Sequence, residues 1–145
     1  QNAVSATRQA LSRSRTLARA VEERMFEGPA AISRALSDYL PQLGVEACVV
    51  AALLPKEPGL LGRIRFGFGP GKAHPDPEVL PLLRLTEHPL VESSRTLFLL
   101  PLVLGSEPLG VAAFSVTTQL ARSELLEDLR ELFSIVLKVT QPSHG

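Results

Sequence analysis

The sequence predicts an α+β domain: a central antiparallel sheet of five or six strands, with N- and C-terminal helices packed on one face and a long loop over the other. Three observations carry that expectation. Both ends of the chain have helical composition and period, the middle holds short apolar runs bounded by Gly and Pro, and residues 69–94 are dominated by proline and follow neither period.

The first helix is read from Ala3 to Glu27, a stretch without Pro or Gly and dense in Ala, Arg, Leu and Glu. Val4, Leu11, Ala18 and Met25 recur at heptad spacing, which makes them a coiled-coil seam and the candidate dimer interface, although Thr7 and Ser14 weaken its intermediate core positions. Arg8, Arg13, Arg15 and Arg19 fit a solvated face better than a nucleic-acid patch. Gly28-Pro29 interrupts this helix, and a second runs from Pro29 to Leu40 with Ile32, Leu36 and Leu40 on one face, stopped by Pro41 and Gly44.

Val45–Leu54 reads VEACVVAALL, an apolar run between turn signals and hence a buried strand. After the turn at 55–62, RIRFGFG alternates, placing Arg63 and Arg65 on one side and Ile64, Phe66 and Phe68 on the other, so a half-exposed strand near an edge is expected. Within the long loop, PEVLPLLRL offers at most a short helix. Irregular segments of that length in a compact domain are more often binding loops than plain connections.

LFLLPLVLGSEPLGVAAFSV, residues 97–116, is apolar enough to suggest a membrane span, yet Pro101, Gly105, Glu107 and Pro108 break the uninterrupted run that a span requires. Two strands, Thr96–Leu104 and Leu109–Val116, joined by a Gly-Ser-Glu-Pro turn, fit instead. Both faces of the first arm are apolar, which predicts a hairpin central in the sheet, with a bulge or unpaired donor position at Pro101. Leu120–Thr140 closes the domain as an amphipathic helix whose stripe is Leu125, Leu129, Leu132, Phe133, Val136 and Leu137.

Composition narrows the function classes. With 145 residues and fifteen Lys+Arg against fifteen Asp+Glu, the chain is one core-forming domain without the charge excess of a polyanion binder, so neither a direct nucleic-acid partner nor a membrane is expected. A single cysteine, Cys48, excludes an internal disulfide framework, fits a reducing cytoplasmic setting, and reads as a core residue. The opening QNAVSATRQ has neither an initiator Met nor an export signal, and the chain reads as a piece of a longer protein.

Catalytic and metal-binding signatures are lacking. Gly67-Phe68-Gly69-Pro70-Gly71 has neither Walker nor dinucleotide spacing and reads as a strand-ending turn. His74 and His88 lie near Asp76, Glu78 and Glu87 without helical ligand spacing, so no metal is expected. Ser93 and Ser94 lack a nucleophile elbow, and no carboxylate pair stands out, so no catalytic residue is nominated.

ISRALSDYLPQLGVEACVVAALL resembles the helix, Leu-Gly turn and first strand of the GAF domains of bacterial signal transduction. RTLFLLPLVLGSEPLGVAAFSV resembles their paired central strands, and SELLEDLRELFSIVLKV their terminal helix. The resemblance covers roughly residues 30–140 and rests on core patterns. It implies a GAF/PAS-like sheet, a domain over 28–145 preceded by a signalling and dimerisation helix over 1–27, homodimerisation through terminal helices, and cytoplasmic placement beside other domains of the parent protein. The function it implies is sensing of a small molecule and relay to output domains. A ligand-free dimerisation scaffold is the alternative, and an enzyme of unknown class a minor one. The NKxxxFxxxDE-like run of cyclic-nucleotide-binding relatives is absent, Cys48 lies outside the loop where a chromophore would attach, and no cofactor is implied. For a ligand pocket the candidates are Phe66 and Phe68 as walls and Arg84, His88 and Arg95 as polar contacts. The competing reading, which the same residues favour, is that both Phe rings fill core and the cations face water.

Overall fold

The computed structural model describes residues 15–56, 58–72, 74–92, 96–116 and 123–141. Helix α1 (15–24) runs into a 3-10 turn at Met25–Glu27, and Gly28 separates that turn from α2 (Pro29–Tyr39), which starts on proline as helices readily do. A second 3-10 turn, Leu40–Leu43, leads into β1 (Val45–Leu53), which is followed by β2 (Leu61–Phe68), β3 (Val79–Pro81), a 3-10 segment Leu82–Glu87, β4 (Leu97–Leu104), β5 (Glu107–Val116) and α3 (Ser123–Val139). The strands form one antiparallel sheet in the order β3-β2-β1-β5-β4. None of the described helices is long and apolar enough to cross a membrane.

Both faces of the sheet are covered, and that is why β1 is apolar apart from the exposed Glu46. Cys48 and Val50 point into a core shared with Leu17 and Val21 of α1, Ile32 and Leu36 of α2, and Leu129, Phe133 and Val136 of α3. Phe133 is its hub, stacked on Phe114 and edge-on to Phe66 with ring centroids 5.6 Å away in each case. Ala47, Val49 and Ala51 point the other way, where Leu82, Leu85, Leu90 and Val91 of the long loop close over Ile64 and Ala113. The expected arrangement, terminal helices on one face and the loop on the other, is the observed one.

Four details differ from the sequence expectation. The hairpin is not central as a unit: β5 lies beside β1, but β4 is the sheet edge, where Phe98, Leu99 and Leu104 are each more than a third exposed. Pro101 suits that position, because an edge strand can lack a donor on its free side. The hairpin turn is the two residues Gly105-Ser106, tighter than the expected four, with Gly105 at φ 63° supplying the positive angle that a two-residue turn needs at its first position. The long loop carries β3 and a 3-10 turn. Finally, the register of β2 on β1 pairs Val50 with Phe66 but Ala51 with Ile64, leaving Arg65 as an extra bulged residue. That bulge reverses the alternation, so Ile64 enters the loop-side core while Phe66 and Phe68 enter the helix-side core.

Candidate functional site

The residues proposed from sequence do not meet in one place. Phe66 and Phe68 are buried in the helix-side core, at 1% and 4% exposure. Arg84 stands exposed on the 3-10 turn of the loop and pairs with Glu87 at 3.7 Å. His88 is buried where that loop leaves the turn, with Nδ1 accepting a hydrogen bond from the Leu90 N–H at 3.1 Å. The sheet separates the two Phe rings from the loop that carries Arg84 and His88, and Arg95 lies outside the described residues. Of the heptad positions, Val4 and Leu11 lie outside the described residues, Ala18 is half-buried, and Met25 is buried with Leu17 and Val21 in the chain's own core. Among the described residues no group of three or more His, Cys, Asp or Glu is placed to hold a metal ion. The Cys48 thiol is fully buried, and that burial pushes its pKa far up, so it has no thiolate character at neutral pH.

Two polar constellations that sequence reasoning passed over are assembled instead. The first joins α2, β2 and the loop: Ser33 Oγ accepts a hydrogen bond from the Gly67 N–H at 3.0 Å and shares another with His74 Nδ1 at 2.6 Å. A serine beside a histidine has the composition of a nucleophile and its base. Here the serine is fully buried and its oxygen already engaged by a backbone donor, so the pair acts as a tie holding the loop to α2.

The second is a cavity of about 660 Å³ at one end of the sheet. Its wall is the end of β1 and the turn after it (residues 52–56), Arg63 and Arg65 of β2, Leu109 of β5, and Leu137 and Gln141 at the end of α3. Two bulges build it. Arg65 is the extra residue of β2 against β1. Leu109 is the extra residue of β5 against β4, where Leu102 pairs with Gly110 but Val103 with Pro108. Each bulge adds one side chain to the helix side, so Arg63 and Arg65 face the same cavity as Leu109 and Leu137.

Among the described residues, the charged groups that line this cavity are of one sign: Lys56, Arg63 and Arg65. The half-buried Arg65 guanidinium donates from Nη2 to the carbonyl oxygen and to Oγ1 of Thr140, both at 3.1 Å. Thr140 in turn bonds the Val136 carbonyl through its N–H at 2.9 Å and its hydroxyl at 2.6 Å. Arg65 thus satisfies a carbonyl at the end of α3 and sets a cation against the negative end of the helix dipole. Desolvation lowers the Arg65 pKa from its ordinary value. The signal for this site in the sequence is RIRF, two arginines inside an otherwise apolar strand. No protein family, curated protein or solved structure matches the chain.

Proposed function

We propose that this chain is a non-catalytic regulatory module of GAF-like kind, cytoplasmic and carried in a larger signalling protein, which senses a small molecule and relays its presence through the terminal helices. The observation that supports it is the bond from Arg65 to Thr140: one cation forms part of the wall of a ligand-sized cavity and also holds the last turn of α3. A ligand that engages Arg65 changes how that turn is held. It therefore has different affinity for two arrangements of the helix end, which is what a relay requires. A lone buried thiol suits the reducing compartment in this reading.

A second reading, a homodimeric relay scaffold without a ligand, is favoured by the exposed Phe98, Leu99 and Leu104 on the edge strand and Ile135 and Val139 on α3. Thermal denaturation against a panel of metabolites, paired with light scattering over a range of protein concentration, separates the two. Sensing predicts saturable stabilisation by at least one compound. The scaffold predicts none, together with a dimer whose dissociation is promoted by Leu99→Lys. A monomer that no compound stabilises contradicts both.

A further inference from the structure

We propose that the cavity at the end of α3 binds a small organic anion, with its carboxylate or phosphate group held by Arg63 and Arg65 and its apolar body lying on Leu109 and Leu137. This names the ligand class of the sensing module proposed above and rests on that reading.

Charge balance is the first argument. The ion pairs among the described residues join Arg24 to Asp38, Lys72 to Asp76, Arg84 to Glu87, Arg130 to Glu127 and Lys138 to Glu107. None reaches Lys56, Arg63 or Arg65, so three cations share one concavity with no carboxylate partner among the described residues. The surroundings of Arg65 give the second. Partly burying a guanidinium is costly unless an anion or a full set of acceptors compensates, and among the described residues the half-buried Arg65 meets only the two neutral oxygens of Thr140. Both bonds leave from Nη2, so Nε and Nη1 have no acceptor among the described residues. Both two-bond edges of a guanidinium, Nε with Nη2 and Nη1 with Nη2, include Nη2, so a carboxylate or phosphate gripped through two parallel bonds competes with Thr140 for that atom.

Shape and lining supply the rest. A volume of about 660 Å³ lies within the range of metabolite pockets, and Leu53, Leu109 and Leu137 add apolar lining to the charged groups. That combination selects an anion with a hydrophobic body over inorganic phosphate or a bare polyanion. The bulges at Arg65 and Leu109 interrupt strand pairing at the very positions that furnish the polar and apolar walls. Bulges are the usual means of re-aiming side chains next to binding sites.

The test titrates the full chain with hexyl phosphate, hexanoate, hexanol and inorganic phosphate, read by calorimetry and by thermal denaturation. At least one of the two organic anions is expected to bind saturably and raise Tm, with hexanol and inorganic phosphate much weaker. The Arg63 side chain is exposed and makes no hydrogen bond or ion pair among the described residues, so Arg63→Gln should keep the ligand-free Tm while weakening binding about tenfold or more. Lys56→Gln gives an independent, smaller loss in the same direction. The assignment is overturned if neither organic anion binds, if hexanol or inorganic phosphate binds as tightly, or if neither variant alters affinity. A neutral metabolite that stabilises the chain when both organic anions fail would leave the sensor reading standing and remove this one. Stabilisation by no compound at all would remove both.

Discussion

His88 shows how a single side chain can be structural and still titrate. Its Nδ1 accepts the Leu90 N–H, which requires the neutral ring with its proton on Nε2. Burial lowers its pKa below the usual histidine value, against nearby Glu78, which raises it, and Lys72, which lowers it further. With the folded pKa below the unfolded one, the unfolded chain binds more protons as pH falls, so this contribution to stability is complete above about pH 6.5 and is lost as pH drops from there through the folded value. His74 is shifted the same way, chiefly by desolvation, and adds to the slope. We expect His88→Asn, which keeps an acceptor but does not titrate, to show a shallower loss of urea stability between pH 7.5 and pH 5 than the parent. Parallel profiles for the two proteins would contradict that assignment. Histidine in a proline-rich loop reads equally well as a ligand contact, and only the course of the backbone from Leu85 to Val91 decides that it closes a turn.

At the scale of elements, β5 carries the tightest constraint. A Cβ at Gly110 would collide with the Ala51 carbonyl oxygen on β1 and lie 3.0 Å from Leu137 Cδ1 on α3. Gly110→Ala must therefore push two central strands or the last helix apart, and we expect it to lower stability in urea denaturation by about 1–3 kcal/mol. An unchanged midpoint would mean that β5 and β1 are not this close. Strand and helix identities were legible in sequence because β1 and α3 carry long, consistent apolar patterns. The two bulges were not, since Arg65 and Leu109 obey ordinary alternation locally and become irregular only when paired with a neighbour. Edge placement of β4 was hidden for a related reason. LFLLPLVL is apolar on both faces, but the sheet order leaves one side of that strand unpaired and its Phe98 and Leu99 partly in water.

For the whole molecule, the layering of terminal helices, sheet and loop follows from the order of elements along the chain, and the sequence conveys it well. The candidate site does not follow from that order. It is made where the ends of β1, β2, β5 and α3 converge, by residues 52–56, 63, 65, 109, 137 and 141, which no local motif links. Helix α1 packs into the same core as α2 and α3 through Leu17 and Val21, so the end of α3 shares one core with both N-terminal helices. If filling this cavity alters the hold of Arg65 on that helix end, amide hydrogen exchange over residues 136–141 with and without saturating hexyl phosphate measures the change directly. The account predicts faster exchange there as the anion draws Arg65 from Thr140, with residues 82–91 on the opposite face unchanged. Saturable binding that leaves exchange at 136–141 unchanged or slower would contradict it.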